Sequence, residues 1–401
     1  MDHTATPAPP FTPTVTTAVL AGVGCISAAL LMTELALTRI FSVTMYYHFA
    51  FLAISIALFG LSASGVYVYL ARRLFDRLTP ASLLAWHALA YALVTTLSLA
   101  ALVRLRVGLN YSIRNLLLML AIYGLSALPF FSGGAVISLA ISRLAGRINL
   151  VYAADLVGAS AGCLLLLPLL DRVGAPGVVL STAGLGAAAA VCFADARTRR
   201  YLTPWAVALA LLPWGAHLAG IVTFDVGETK GHDKDRVLFS KWNSFSRIAV
   251  YDRQHGDWSL SSTYHGPMPD TRFMDIDSAA STPIVRFTGN LSDVRYLASE
   301  LTALGYHLAV GGHDPASTPD AGTRTSVPGR GFSALVIGPG GGRDLLSALL
   351  FGASCVDAVE INPIIARDVM MDRFRDFSGG LYLRPDVRVH IEDGRSFVRR
   401  S

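Results

Sequence analysis

Apolar residues fill the first half of the chain in blocks at about 17–41, 47–70, 81–103, 116–141, 150–170, 174–194 and 203–222. Each block is long enough to cross about 30 Å of hydrocarbon as a helix. Between them stand short basic clusters: Arg72, Arg73 and Arg77; Arg104, Arg106 and Arg114; Arg143 and Arg147; Arg197, Arg199 and Arg200. The pattern predicts a transmembrane domain of about seven helices over 17–222, after a polar, Pro- and Thr-rich tail at 1–16. Beyond it Asp225, Glu228, Lys230, His232, Asp233, Lys234, Asp235 and Arg236 arrive together, and a new region begins. KWNSFSRIAVY at 241–251, then 258–263 and 284–287, read as short strands of a small antiparallel sheet. Leu297, Leu301 and Leu304 give 293–306 a helical spacing. The region 223–310 is therefore β-rich with one helix, and 311–331 is a Gly-, Pro-, Ser- and Thr-rich loop or insertion.

The last region, 332–401, carries the candidate chemistry. ALVIGPGGGRD at 334–344 reads as a buried strand running into a glycine bend, where Gly338, Gly340, Gly341 and Gly342 let the backbone turn tightly and approach a ligand. A helix at 344–350 follows, with free N–H groups at its start. A second strand at 356–361 ends near Glu360, about 20 residues past the bend, where an acid accepts both ribose hydroxyls of an adenosine. A second crossover helix is expected at 363–374. A third strand at 387–392 leads into Asp393, which can accept from an adenine amino group. The fold class is a multi-span α-helical membrane domain, then a small antiparallel β region, then an incomplete α/β Rossmann-like domain. Three strands are fewer than a doubly wound sheet needs, so truncation is expected.

Composition agrees with the membrane half: 53% hydrophobic, 15% charged, mean hydropathy +0.49. A soluble domain rarely has this balance. The net charge of +5 sits in loops between apolar blocks, which argues for a lipid bilayer as partner and against nucleic acid. Cys25, Cys163, Cys192 and Cys355 lie far apart, so neither a metal site nor a disulfide framework is expected. No cleavable signal peptide is evident.

Two arguments on orientation disagree. A cytoplasmic N-terminus puts eight arginines inside, as the positive-inside rule prefers, but seven spans then put the adenosine-type region outside. A nucleotide-type cofactor belongs to the cytosol. The chemistry is given precedence, with a bacterial inner-membrane location and a cytoplasmic C-terminal region. A miscounted or re-entrant segment is then expected, with 116–141, interrupted by Pro129, Gly133 and Gly134, as the candidate.

Glu34 and Asp155 are acids at membrane depth, where a charge is costly and faces protein or water. They read as a structural pair or, alternatively, as a polar path between helices. Arg39 lies on another helical face and snorkels. His48, His87 and His217 read as interfacial or hydrogen-bonded core. Gly158 and Gly162 form a G-x-x-x-G suited to close helix packing.

With these residues in view, the chain resembles the spermidine synthase-like proteins, specifically bacterial members with a multi-span region before the synthase-type domain. KWNSFSRIAVY, MDIDSAASTPI, ALVIGPGGGRD, VDAVEIN and VRVHIEDGRSF carry the resemblance in the family's order, and LTRIFSV and VYAADLVGASAG look similar too. The resemblance implies a class I methyltransferase fold and, in active members, aminopropyl transfer from decarboxylated S-adenosylmethionine to a diamine. It implies that Gly338, Gly340 and Gly342 line the cofactor turn, that Glu360 takes the ribose hydroxyls, and that Asp393 contacts the adenine. A small-molecule amine is the implied acceptor, no metal is implied, and homo-oligomerisation is left open.

Departures from the family shape the expectation. Gly341 stands where soluble members carry an aspartate, and Ser246 where they carry a glutamine. Without that acid, and with Arg343 at the helix start, S-adenosylmethionine with its carboxylate is expected over the decarboxylated form. The family's general-base aspartate falls beyond Ser401, so the catalytic residue is unknown. Asp252, Asp270, Asp277 and Asp293 read as solvated surface rather than as polyamine contacts. Two other readings stay open: a transporter or sensor with a nucleoside-binding module, in which Glu34 and Asp155 act, and an inert adenosine fold.

Overall fold

A computed structural model of the chain describes residues 15–45, 50–105, 112–222, 224, 226, 229, 235–256, 258–309 and 331–401. His48, Arg106, the charged residues Asp225, Glu228, Lys230, His232, Asp233 and Lys234, and nearly all of the expected loop 311–331 lie outside the described residues. The chain divides into two compact units, Met1–Gly231 with Trp242–Phe245, and His232–Lys241 with Ser246–Ser401.

Among the described residues of the first unit, five helices are long and apolar enough to cross a membrane: Thr17–Thr44, Phe51–Leu70, Pro80–Leu102, Ile113–Arg143 and Ala145–Phe193. Two expected spans fall on the last of these. Its α-helical part, Ile148–Phe193, has 46 residues, about 69 Å if it were straight. Yet Gly158 packs on Gly24 while Phe193 packs on Gly22, two residues away on the first helix. The segment must double back. It does so at Gly174, whose φ of +68° and ψ of 174° suit glycine, with Pro176 in the first turn of the return helix. Residues 148–173 run in the same sense as the first helix, pairing Asp155 with Ser27 and Gly162 with Ala28. Residues 175–193 run back, with Thr182 bonded to Thr33 at 2.8 Å.

The helix Ala196–Leu218 has Arg197, Arg199 and Arg200 at its start and is not among the five. It still runs the length of the bundle, with Thr198 bonded to Ser82 at one end and Trp214 against Gly177 at the other. Among the described residues the helices run the length of the bundle seven times, twice on the doubled-back segment and once on Ala196–Leu218, so the chain enters and leaves the bundle at opposite ends. Arg72, Arg73, Arg77, Arg143, Arg147, Arg197, Arg199 and Arg200 gather at the entry end, where Arg143 pairs with Asp76 at 2.9 Å.

The expected break in 116–141 is absent. Ile113–Arg143 is one continuous helix of 31 residues with Pro129 inside it. Ser132 turns its hydroxyl onto Leu128 O at 2.9 Å. Gly133 and Gly134 serve as seats for neighbouring helices: an added Cβ would lie 2.7 Å from Leu30 Cδ2 and 2.6 Å from Ser64 Oγ. Small residues here reflect close packing rather than re-entry.

The second unit holds two sheets. Strands β1 (Val237–Trp242), β2 (Arg247–Tyr251), β3 (Thr271–Ile276) and β4 (Ala280–Val285) form the first in that order. β3 pairs antiparallel with both β2 and β4. The expected strand at 241–251 is split by a turn at 243–246, and 258–263 makes turns with an isolated bridge at Leu260 instead of a strand. Aromatic content without alternation over-read that stretch. The expected helix at 293–306 is a run of 3-10 turns, Leu291–Ser299 and Leu301–Ala303, before the short helix Leu304–Ala309.

Strands β5 (Ser333–Ile337), β6 (Cys355–Val359) and β7 (Val387–His390) form a parallel sheet in chain order. The helix Arg343–Leu350 connects β5 to β6, and the helix expected at 363–374 follows β6 as a π-helix, Ile364–Arg373. Ile248, Val250, Met274 and Ile284 of the first sheet share one buried core with Val336 and Val356 of the second and with Leu345 and Met370 of the helices beside it. The two sheets are one folded body.

Candidate functional site

The bend begins where β5 ends. Gly338, Gly340 and Gly342 have φ of +71°, +53° and +90°, values at which a Cβ crowds the backbone. The turn closes with Gly342 N–H donating to Pro339 O at 2.8 Å, and Gly342 then caps the helix Arg343–Leu350. Parallel pairing sets Ile337 beside Val359, so Glu360, the next residue after β6, is carried to the bend.

Its carboxylate points into the bend. Oε2 accepts from Gly340 N–H at 3.2 Å and Oε1 from Asn362 N–H at 2.9 Å. Glu360 is 3% exposed. Burial pushes its carboxyl up from the ordinary range, and the N–H groups of Asn362, Gly340 and Ile361 pull in the other direction. Around this pair the polar groups are satisfied in sequence. Tyr382 donates its phenol to Gly340 O at 2.8 Å, and Asn362 Nδ2 donates to Ser246 Oγ at 2.8 Å. Burial also raises the Tyr382 phenol.

β4 crosses the other side of the bend. Gly341 N–H donates to Thr282 Oγ1 at 3.3 Å, and Gly342 bridges to Ile284. A Cβ on Gly341 would lie 2.0 Å from Pro283 O. No side chain fits there, so glycine at 341 has a steric reason.

Asp393 lies at the same edge of the parallel sheet, after β7, with Gly394 packed on Ile337. Its side chain is exposed and caps the helix Gly394–Arg400, accepting from Ser396 N–H and Ser396 Oγ at 2.9 Å each. The Ser396 N–H holds its carboxyl below the ordinary range. The glycines and Glu360 therefore form one hydrogen-bonded site, and Asp393 stands at its rim in a capping role.

Arg343 is committed elsewhere. Its Nε lies 3.5 Å from Glu300 Oε2 and 3.4 Å from Asp344 Oδ1. Glu300 is buried, which raises its carboxyl, and Arg343 offsets part of that rise. The expectation that Arg343 favours a cofactor carboxylate loses this support. The four candidate surface acids are also engaged locally: Asp252 with Arg272, Asp270 with Arg286, Asp277 with Arg247 N–H, and Asp293 with Thr288.

In the helical unit Asp155 accepts from Ser27 Oγ. Glu34 lies seven residues along the first helix from Ser27, about 10 Å away, so the two acids do not form a pair. His87 is held by Leu83 O at 2.8 Å and Tyr67 at 3.3 Å, and His217 accepts from Phe224 N–H at 3.4 Å. All four cysteines are free thiols. Among the described residues no His, Cys, Asp and Glu cluster could hold a metal ion.

Sequence reading missed Asn362, Tyr382 and Thr282. Asn362 follows Glu360 by two residues and was within reach as a partner; Tyr382 and Thr282 come from distant segments with no periodic signal. Comparison with models of protein families, with curated proteins and with solved structures gave no match.

Proposed function

We propose that this chain is a membrane-anchored, spermidine synthase-like transferase whose second unit binds S-adenosylmethionine or its decarboxylated form. The observation that carries the reading is the bond from Gly340 N–H to Glu360 Oε2, on a bend of three left-handed glycines between parallel strands. A ribose diol presents two O–H donors, and Glu360 has two oxygens now held by backbone N–H groups. The ligand would take over those acceptors, leaving Gly340 N–H for the sugar or the sulfonium-bearing tail. Asp393 at the rim suits the adenine amino group. The cofactor would supply an activated carbon on sulfur; transfer to an amine forms an N–C bond, breaks the S–C bond and releases the amine proton. The base for that proton is unassigned.

Closure of Gly341 by Pro283 supports the carboxylate-bearing cofactor, because no acid fits at position 341 to receive a lone ammonium. Calorimetry of both cofactors on the intact chain tests this, and tighter binding of the decarboxylated form overturns it. For the site itself, Glu360→Ala should abolish cofactor binding; undiminished binding would place the cofactor away from the bend, and no binding by the parent would leave only an inert fold.

A bacterial inner-membrane location with the second unit in the cytosol belongs to this reading. One observation favours the second reading, a nucleoside-binding sensor or transporter facing outward. The eight arginines gather at the end opposite Leu218, and the positive-inside rule puts that end in the cytosol. A reporter fused after Ser401 separates them: a cytoplasmic signal supports the transferase, and a periplasmic signal removes it.

A further inference from the structure

At the arginine-rich end of the bundle, the starts of the helices Pro80–Leu102 and Ala196–Leu218 leave a cleft of about 360 Å³, lined by Ser82, Trp86, Asp195, Arg197, Thr198 and Tyr201. We propose that this cleft binds the headgroup of a phosphatidylethanolamine-type phospholipid. The cleft offers one cation and one anion. Arg197 is exposed and matches a phosphate, whereas the Asp195 carboxylate, which caps its helix by accepting from Thr198 N–H at 2.7 Å, is exposed and presents its negative charge to an ammonium. Ser82 and Thr198, 3.0 Å apart, add hydroxyls at the floor. A purely anionic headgroup would meet Asp195 as a like charge; a zwitterion meets neither mismatch.

The walls of the cleft continue into the apolar zone. Trp86 is 50% exposed and Tyr201 is 64% exposed, and both rings are of the kind that sits at the headgroup level of a bilayer. On the first helix Trp86, Leu93 and Leu97 share one exposed face, and on the second Tyr201, Trp205 and Leu212 do the same. Both stripes start at the cleft and run toward the middle of the bundle. A polar slot continuous with two apolar stripes fits a molecule with a zwitterionic head and acyl tails.

The test uses the full chain in nanodiscs of phosphatidylcholine doped with phosphatidylethanolamine or phosphatidylglycerol, with bound lipid read by native mass spectrometry. Phosphatidylethanolamine should be retained over both others, and Arg197→Ala should weaken that retention about tenfold. Asp195→Asn keeps a side chain able to cap the helix and should remove the preference for the primary ammonium without unfolding the bundle. Equal retention of all three lipids, a preference for phosphatidylglycerol, or retention unaltered by both substitutions would each overturn the proposal.

Discussion

Gly340 and Glu360 stand 20 residues apart in the chain and 3.2 Å apart in space, joined by a bond from backbone N–H to buried carboxylate. The parallel register of β5 and β6 creates that meeting, and the left-handed glycines make room for it.

Glu360 should make the second unit sensitive to pH in a stated direction. Because burial raises its carboxyl above the ordinary value of about 4.3, the folded state holds this proton to higher pH than the unfolded chain. Its contribution to stability is full below the unfolded value and is lost as pH rises through the folded one. Thermal unfolding of the intact protein from about pH 4 to pH 8 should therefore shift in favour of Glu360→Gln relative to the parent. Parallel curves would refute the assignment.

Gly341 should tolerate no side chain. Gly341→Ala puts a methyl 2.0 Å from a backbone oxygen that can move only with β4, at a cost of about 3 kcal/mol. Gly380→Ala is the comparison, since nothing lies within 4 Å of its added Cβ and only the strain at φ +64° remains, about 1 kcal/mol. The order of the two melting temperatures decides; equal losses would mean that β4 does not close the bend.

Asp393 caps the final helix, and under the proposed function its carboxylate also meets the adenine; substitution separates the two. Asp393→Ser keeps a side-chain acceptor for the Ser396 N–H and should leave the final helix formed, whereas Asp393→Ala removes the cap and should fray it. Adenosine-type ligand binding should fall in both variants. If Asp393→Ser binds as the parent does, the carboxylate is a cap and nothing more.

Gly158 should be the least replaceable glycine of the bundle, because a Cβ there would lie 2.2 Å from Gly24 O. Gly158→Val should lower the melting temperature of the detergent-solubilised protein, with a loss of about 2–3 kcal/mol. Gly184→Ala, on the return helix with open space around it, should be neutral or slightly stabilising. Similar melts for both would show that the approach of the first helix to 148–173 is not tight.

The five long apolar helices were legible because a helix that crosses lipid must be apolar along its length; that two expected spans lie on one of them, folded back at Gly174, was not. The bend was legible because left-handed backbone selects glycine so strongly at 338, 340 and 342. Pro129, Gly133 and Gly134 misled, since the same residues that break a helix also seat its neighbours, and only the surroundings distinguish the two uses. The difference between Glu360, buried and doubly bonded, and Asp393, exposed and capping, was beyond local pattern. It depends on Tyr382 and β4, which reach the bend from remote parts of the chain.

The reversal at Gly174 has a consequence for biosynthesis. One residue separates the descending helix from the returning one, and beside it only Asp171 and Arg172 are charged, which leaves no polar loop to be held at the far surface while the next segment emerges from the ribosome. The two arms must therefore enter the lipid together, as a preformed pin.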